Sequence, residues 1–305
     1  MSFPYISNRL ILRLIIQTIM KKAKKIARIS LDTLILILIV LLVVWVYLFN
    51  RMHRNTIIKP DDELIWDRYE VPRTGEEPVN VNLYYPDNYE WTLPVVFNIH
   101  WWAFFAWSAD TLDTQSERIA KDWNVMVVNI NYKLLNMDYS ISYALDEIVD
   151  TIKYFKNNAE KYKIDPNKMI VMWYSAWWDY AMEACITLKK ENIDVFAQIL
   201  WYAYIWDADD MYQEELSQDQ QKSIAPALFI LADNDLIWDT SLEYEEILRE
   251  NWIQTEIKQY SWAMHWFIES NNPEREAVTW ERPEQKEMAR DAEDYALQWL
   301  KDLWL

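Results

Sequence analysis

Ser175 stands between an apolar run that ends at Trp173 and a helical pattern that begins at Asp179, in the stretch Trp173-Tyr174-Ser175-Ala176-Trp177-Trp178. A serine on such a strand-to-helix turn projects its hydroxyl from the end of a sheet, and a neighbouring base makes it a nucleophile. Bases are scarce, because the only histidines are His53, His100 and His265. His265 follows the last apolar run, in Ser261-Trp262-Ala263-Met264-His265-Trp266-Phe267, and His100 closes an earlier one, in His100-Trp101-Trp102-Ala103-Phe104. Asp233-Asn234-Asp235 follows a third run and supplies the carboxylate, with Asp235 the first choice and Asp233 or Asp239 the alternatives. Together Ser175, His265 and Asp235 could carry acyl transfer. His265 would take the serine proton and return it to the leaving group, while Asp235 would hold the ring and stabilise imidazolium.

These side chains need a rigid scaffold, and the alternation of short β-branched runs with helical patterns after residue 60 implies a mostly parallel, doubly wound α/β sheet. Strands are expected at Val79–Tyr85, Leu93–His100, Val125–Tyr132, Lys168–Trp173, Phe196–Trp201, Pro226–Asp233 and Thr255–Tyr260, the first two antiparallel and the rest parallel. Helices are expected at Ser142–Tyr162, Asp179–Glu191, Ser241–Asn251 and Pro283–Leu303. The acidic, Gln-rich stretch Ile205–Ser223 reads as a small lid or a long surface loop. Each candidate site residue then lies at the C-terminal end of a strand, where open α/β sheets bind their ligands.

Charge divides the chain in two. Residues 1–60 hold ten Lys or Arg and one acid, Asp32, for a charge of +9, which leaves −27 of the total −18 on the rest. An acidic globular part offers no basic stripe for nucleic acid. From Thr33 to Asn50 the chain runs without a charge, about long enough to span a bilayer, behind Lys21, Lys22, Lys24, Lys25 and Arg28. The expected organisation is therefore a basic N-terminus and transmembrane anchor over 1–55 and a globular domain over 60–305. The N-terminus would be cytoplasmic and the domain extracytoplasmic. A cleaved signal is the rival reading, weakened by the absence of a small-residue cleavage site after Phe49. Cys185 is the single cysteine, so no intramolecular disulfide or cysteine-based zinc site can form.

One composition anomaly bears directly on the site. About 21 glycines are expected at roughly 7% usage, yet Gly75 stands alone beside 19 tryptophans. With glycine in place of tryptophan, the serine stretch becomes G-Y-S-A-G-G, the His100 stretch H-G-G-A-F and the His265 stretch S-G-A-M-H-G-F. In that form the sequence resembles the α/β-hydrolases of the esterase/lipase type, which include hormone-sensitive-lipase-like and acetyl- or feruloyl-esterase-like enzymes. The resemblance covers about residues 65–305 and includes Asn131-Tyr132-Lys133-Leu134. It implies a nucleophile elbow around Ser175, whose neighbours Trp173 and Trp177 must lack bulk, and the chain order Ser175, Asp235, His265. It also implies an oxyanion hole built from backbone N–H groups of Trp101, Trp102 and Ala176, with His100 bracing the loop or simply packed in the core.

The departure from the family is systematic, and one expectation covers it: the codon UGA, rendered here as tryptophan, is read as glycine by the source organism. The positions expected to be glycine are 101, 102, 107, 173, 177, 178, 262 and 266, whereas Trp123, Trp299 and Trp304 sit in apolar patterns that suit indole. The function implied is that of a serine carboxylesterase acting on small or medium esters, lipase-like in class, with no cofactor and no metal. Its partners would be a small-molecule ester and, through the N-terminal helix, the membrane. Two alternatives remain open at this point: an exopeptidase of the same fold, for which Glu183 or Asp179 would have to hold a peptide N-terminus, and a non-catalytic binding or adhesion module.

Overall fold

The computed structural model describes residues 17–18, 20–22, 33–47, 64–65, 67–100, 108–135, 138–174, 180–203, 205, 208–235, 238–268 and 283–304. The chain forms two compact units, Met1–Met52 and His53–Leu305. In the first, residues 33–47 are helical and every one of them is exposed. Fifteen helical residues rise about 22 Å, against about 30 Å for a bilayer core. Leu48, Phe49 and Asn50, the rest of the expected span, lie outside the described residues. Among the described residues no helix is long and apolar enough to cross a membrane.

The second unit is built on eight strands: β1 (Arg68–Val71), β2 (Val79–Tyr84), β3 (Leu93–Ile99), β4 (Met126–Asn131), β5 (Ile164–Tyr174), β6 (Ala197–Trp201), β7 (Ala227–Asn234) and β8 (Thr255–Met264). Their order across the sheet is β1-β2-β4-β3-β5-β6-β7-β8. β1 pairs antiparallel with β2 and β2 antiparallel with β4, while every pairing from β4 through β8 is parallel. The helices are α1 (Asp113–Trp123), α2 (Ile141–Asn157), α3 (Ala159–Tyr162), α4 (Tyr180–Lys190), α5 (Ala208–Glu215), α6 (Gln218–Gln221), α7 (Trp238–Glu250) and α8 (Pro283–Trp304).

Because side chains alternate along a strand, the runs that are apolar throughout must be covered on both faces. Val95, Phe97, Ile99, Met169, Val171 and Trp173 join Ile148, Ile152 and Phe155 of α2, Ala181 of α4 and Leu248 of α7 in one core. Val96, Ile170, Met172 and Tyr174 join Ile119 and Trp123 of α1 and Ala292, Ala296 and Leu300 of α8 in the other. The result is a three-layer sandwich in which the carboxyl ends of β3 to β8 share one edge of the sheet.

Four expectations require correction. Leu93–Ile99 runs parallel to both neighbours, so the antiparallel element is Val79–Tyr84 paired with β4. β1 was not anticipated, being a short, half-buried edge strand, Arg-Tyr-Glu-Val, without an apolar run. The helix expected over Ser142–Tyr162 is two helices, broken at Asn158, whose side-chain amide donates to the Tyr154 carbonyl at 2.8 Å. The stretch Ile205–Ser223, expected to be a small lid or a long surface loop, holds two short helices, which replaces the loop alternative, and α6 begins with a capping box between Ser217 and Gln220.

Candidate active site

β7 and β8 end side by side, and their register sets which residues leave the sheet together. Ala232 pairs with Tyr260 and Asn234 with Met264, so one residue of β7, Asp233, faces three of β8, Ser261, Trp262 and Ala263. This bulge brings the two strands level at Asn234 and Met264. The next residues, Asp235 and His265, therefore emerge together, and His265 Nδ1 lies 2.5 Å from Asp235 Oδ2. The Asp235 side chain is almost entirely buried, while that of His265 keeps 18% of its surface open. The geometry suits a base that must reach a substrate while its far nitrogen is held.

The bulge has its own supports. Asp233 Oδ1 accepts the Trp262 N–H at 2.5 Å, so the two candidate carboxylates are separated by role: Asp233 ties the bulge and Asp235 faces the imidazole. The Asp239 side chain lies outside the described residues. From α8, Gln285 accepts the Met264 N–H at 2.9 Å and donates to the Trp262 carbonyl at 3.1 Å. The Tyr202 ring, just beyond β6, packs against the imidazole at 4.9 Å. Gln285 and Tyr202 carry no sequence signal for this role, since each arrives from an element distant in the chain.

Ser175 follows Tyr174, the last residue of β5, but Ser175, Ala176 and Trp177 lie outside the described residues, as do Trp101 and Trp102. What surrounds them is described. Trp173 is fully buried, packed edge-on against Tyr180 at 5.4 Å, and its indole N–H is buried without a hydrogen-bond partner among the described residues. An orphaned buried donor costs about 1–3 kcal/mol.

The described residues on either side of 101–107 are held by side chains from the neighbouring strands. Before it, His100 is buried, and Tyr132 lies flat on its ring at 4.3 Å while donating its hydroxyl to the His100 carbonyl at 2.6 Å. After it, Asn131 accepts the Ala109 N–H at 3.1 Å, and Asn129 donates to the Ala109 carbonyl at 3.2 Å. Asp110 then takes Asn82 at 2.6 Å and Arg68 at 3.1 Å, and Asp113 takes the Tyr84 hydroxyl at 2.8 Å. Buried polar side chains of β2 and β4 thus fix where that segment must begin and end.

The arrangement offers a held imidazole at the carboxyl edge of the sheet, the edge at which β5 and β3 also end. That edge and topology are shared with solved structures. An esterase of Rhizomucor miehei superposes with a TM-score of 0.67 at 17% identity, over 85% of this chain and 90% of that one. An esterase of Pyrobaculum calidifontis gives 0.63 at 20% identity, over 85% and 90%. The chain is an α/β-hydrolase by fold.

Sequence comparison reaches the same group. The BD-FAE family model matches residues 81–222 of this α/β-hydrolase, the stretch that holds His100 and Ser175. A para-nitrobenzyl esterase of Bacillus subtilis (strain 168) is 28% identical over 128 residues, 39% of this chain and 26% of that protein. A putative alpha/beta hydrolase of Acanthamoeba polyphaga mimivirus is 29% identical over 132 residues, 43% and 38%. The chain thus spans well under half the length of these two curated relatives.

The backbone of the α/β-hydrolase bears on the tryptophan anomaly. Trp262 and Trp266 adopt φ of +66° and +74°, and so does Trp252, at +66°. This left-handed region is routine only for glycine and costs other residues about 1–2 kcal/mol. Trp252, just past the end of α7, was not among the positions expected to be glycine, because nothing chemical surrounds it. Its side chain is 91% exposed, so truncation removes almost no packing. Trp123, expected to be a true indole, is the buried last residue of α1, and Asn124 takes the left-handed cap. Trp252→Gly is accordingly expected to raise unfolding stability by about 1 kcal/mol, read from the urea midpoint. A midpoint that stays or falls would show that Trp252 is not strained.

Proposed function

We propose that the chain is a serine carboxylesterase that hydrolyses small or medium carboxylic esters through an acyl-enzyme. The observation that carries the reading is the 2.5 Å contact of His265 Nδ1 with Asp235 Oδ2 at the sheet edge toward which β5 leads Ser175. In this reading Ser175 Oγ attacks the ester carbonyl as His265 Nε2 removes its proton. The imidazolium, stabilised by Asp235, then gives that proton to the departing alcohol. Water repeats the sequence on the acyl-serine and restores the enzyme. Backbone N–H groups at 101, 102 and 176 would face the developing oxyanion.

The same reading takes glycine as the residue at 101, 102, 107, 173, 177, 178, 262 and 266, and adds 252. Three left-handed tryptophans and the orphaned indole of Trp173 support it. Two relatives are called esterases, and the active chain would share that chemistry. The test compares the chain as written with its glycine form on p-nitrophenyl esters of increasing acyl length. The glycine form is expected to turn over and to react with a fluorophosphonate. Ser175→Ala should abolish both, and Asp235→Asn should cost about 10⁴-fold in kcat with labelling slowed. A folded glycine form that neither turns over nor takes the label removes the esterase reading in favour of a binding module.

The membrane anchor belongs to this proposal. Charge of +9 over residues 1–60 and fifteen exposed, largely aliphatic helical residues at 33–47 support an N-terminal anchor, with the N-terminus cytoplasmic and the hydrolase outside. Full-length protein should stay with membranes through alkaline carbonate extraction, and a chain starting near residue 60 should not. Release of the full chain by carbonate would overturn the anchor and leave the chemistry untouched.

A further inference from the structure

Glu147 is fully buried on α2 and belongs to none of the groups proposed to touch substrate. Its Oε2 accepts the backbone N–H of Lys133 at 2.5 Å, in the turn that leaves β4. The residue before Lys133 is Tyr132, 4% exposed, whose hydroxyl holds the His100 carbonyl at 2.6 Å and whose ring covers the imidazole. The other side of Tyr132 meets Tyr180 edge-on at 5.3 Å. Tyr180 opens α4, the helix entered from Ser175 and Ala176. Tyr132 therefore touches both segments from which oxyanion donors would come: His100, next to positions 101 and 102, and Tyr180, four residues past 176.

We infer that Glu147 is a positioning residue for the oxyanion hole, acting through the Lys133 amide and Tyr132 on His100 and Tyr180, an inference that rests on the serine-esterase reading. A carboxylate accepting an amide hydrogen bond inside a low-dielectric layer holds it more tightly than a neutral acceptor does. The Lys133 amide is thereby fixed against the sheet, and with it the aromatic plate between the two donor segments.

The charges around Glu147 permit this role without making it an ordinary ion pair. Arg73, from the turn between β1 and β2, stands 3.9 Å from Oε1 but binds Asp150 at 2.8 Å and lies on the Tyr143 ring. The Lys133 ammonium is engaged by exposed Glu77. Asp146 and Asp150 share α2, and Tyr180 faces Glu147 from α4. Burial dominates, raising the Glu147 carboxyl from 4.5 to about 7. The folded chain thus holds that proton more tightly than the unfolded one. The stability it contributes is complete below about pH 4.5 and is lost as pH rises through about 7. Glu147→Gln should therefore be no less stable than wild type at pH 8, where Arg73 still has Asp150.

The experiment uses the form of the enzyme that turns over esters, with active sites counted by fluorophosphonate titration. Glu147→Gln is expected to lower kcat about tenfold, to change KM less than about twofold and to weaken a boronic acid mimic of the tetrahedral intermediate by the same factor as kcat. The wild-type kcat should fall below about pH 7 more steeply than protonation of a single group allows, and the variant should lose the extra steepness. Tyr132→Phe, which keeps the ring and removes the hydroxyl, should give a similar loss. The double variant should then be little worse than the worse single one. A titratable enzyme in which both variants keep wild-type kcat and boronate affinity, or in which their losses multiply, overturns the inference. A wild type that neither titrates nor turns over overturns the esterase reading itself.

Discussion

The contact between His265 and Asp235 depends on a bulge, and most of the sheet's carboxyl edge is arranged to keep that bulge in place. Two extra residues on β8 bring the ends of neighbouring parallel strands level, so that His265 and Asp235 leave the sheet together. An irregular ladder leaves backbone groups to be satisfied elsewhere. Asp233 and Gln285 do so, one from the facing strand and one from the C-terminal helix. The chain must also turn sharply at 262 and 266, where the backbone is left-handed and the Phe267 N–H returns to the Met264 carbonyl at 3.0 Å. The two turns that flank His265 thus place a left-handed backbone, which favours glycine, at positions where the sequence carries tryptophan.

The opposite side of the site obeys different physics. His100 is held by the ring and hydroxyl of Tyr132, whereas Ala109, Asp110 and Asp113 are held through buried polar side chains. Asn82, Asn98 and Asn129 lie fully buried on largely apolar strands, and Ser116 of α1 links Asn98 to Asn129. Among the described residues Asn82 Oδ1 and Asn98 Oδ1 have no hydrogen-bond partner, so the network carries a desolvation cost alongside the bonds it makes. α8 is tied to the same face through Glu293, which accepts from Gln115 and Arg118 of α1. The helix that supplies Gln285 is therefore also locked at its middle.

Much of this can be read from sequence, for reasons that differ by element. The interior parallel strands carry long apolar runs because both faces are covered, whereas the edge strand β8 is largely polar. Asp235 and His265 could be singled out because they follow Ser175 in the order that α/β-hydrolases use, with Asp233 and Asp239 left as alternatives. β1 escaped because a four-residue edge strand with one fully buried side chain, Val71, has neither an apolar run nor clear alternation. The direction of β3 was misread because direction is set by which strands lie beside it, and β4 inserts between β2 and β3. Gln285, Tyr202 and the separation of Asp233 from Asp235 depend on contacts between distant segments and on a two-residue slip in register. Trp252 went unnoticed for the opposite reason: its left-handed turn is purely local and lies far in sequence from any group with chemistry.

Peptide mass spectrometry of the fluorophosphonate-treated protein, isolated from the cells that make it, tests the central claim most directly. It reads at once which residue is modified and which residues stand at 173, 177, 262 and 266. The account predicts one phosphonylated serine, Ser175, in a peptide with glycine at 173 and 177, and glycine at 262 and 266 beside His265. Unmodified Ser175 in a folded protein, or tryptophan at those positions in a protein that reacts fully, would contradict it.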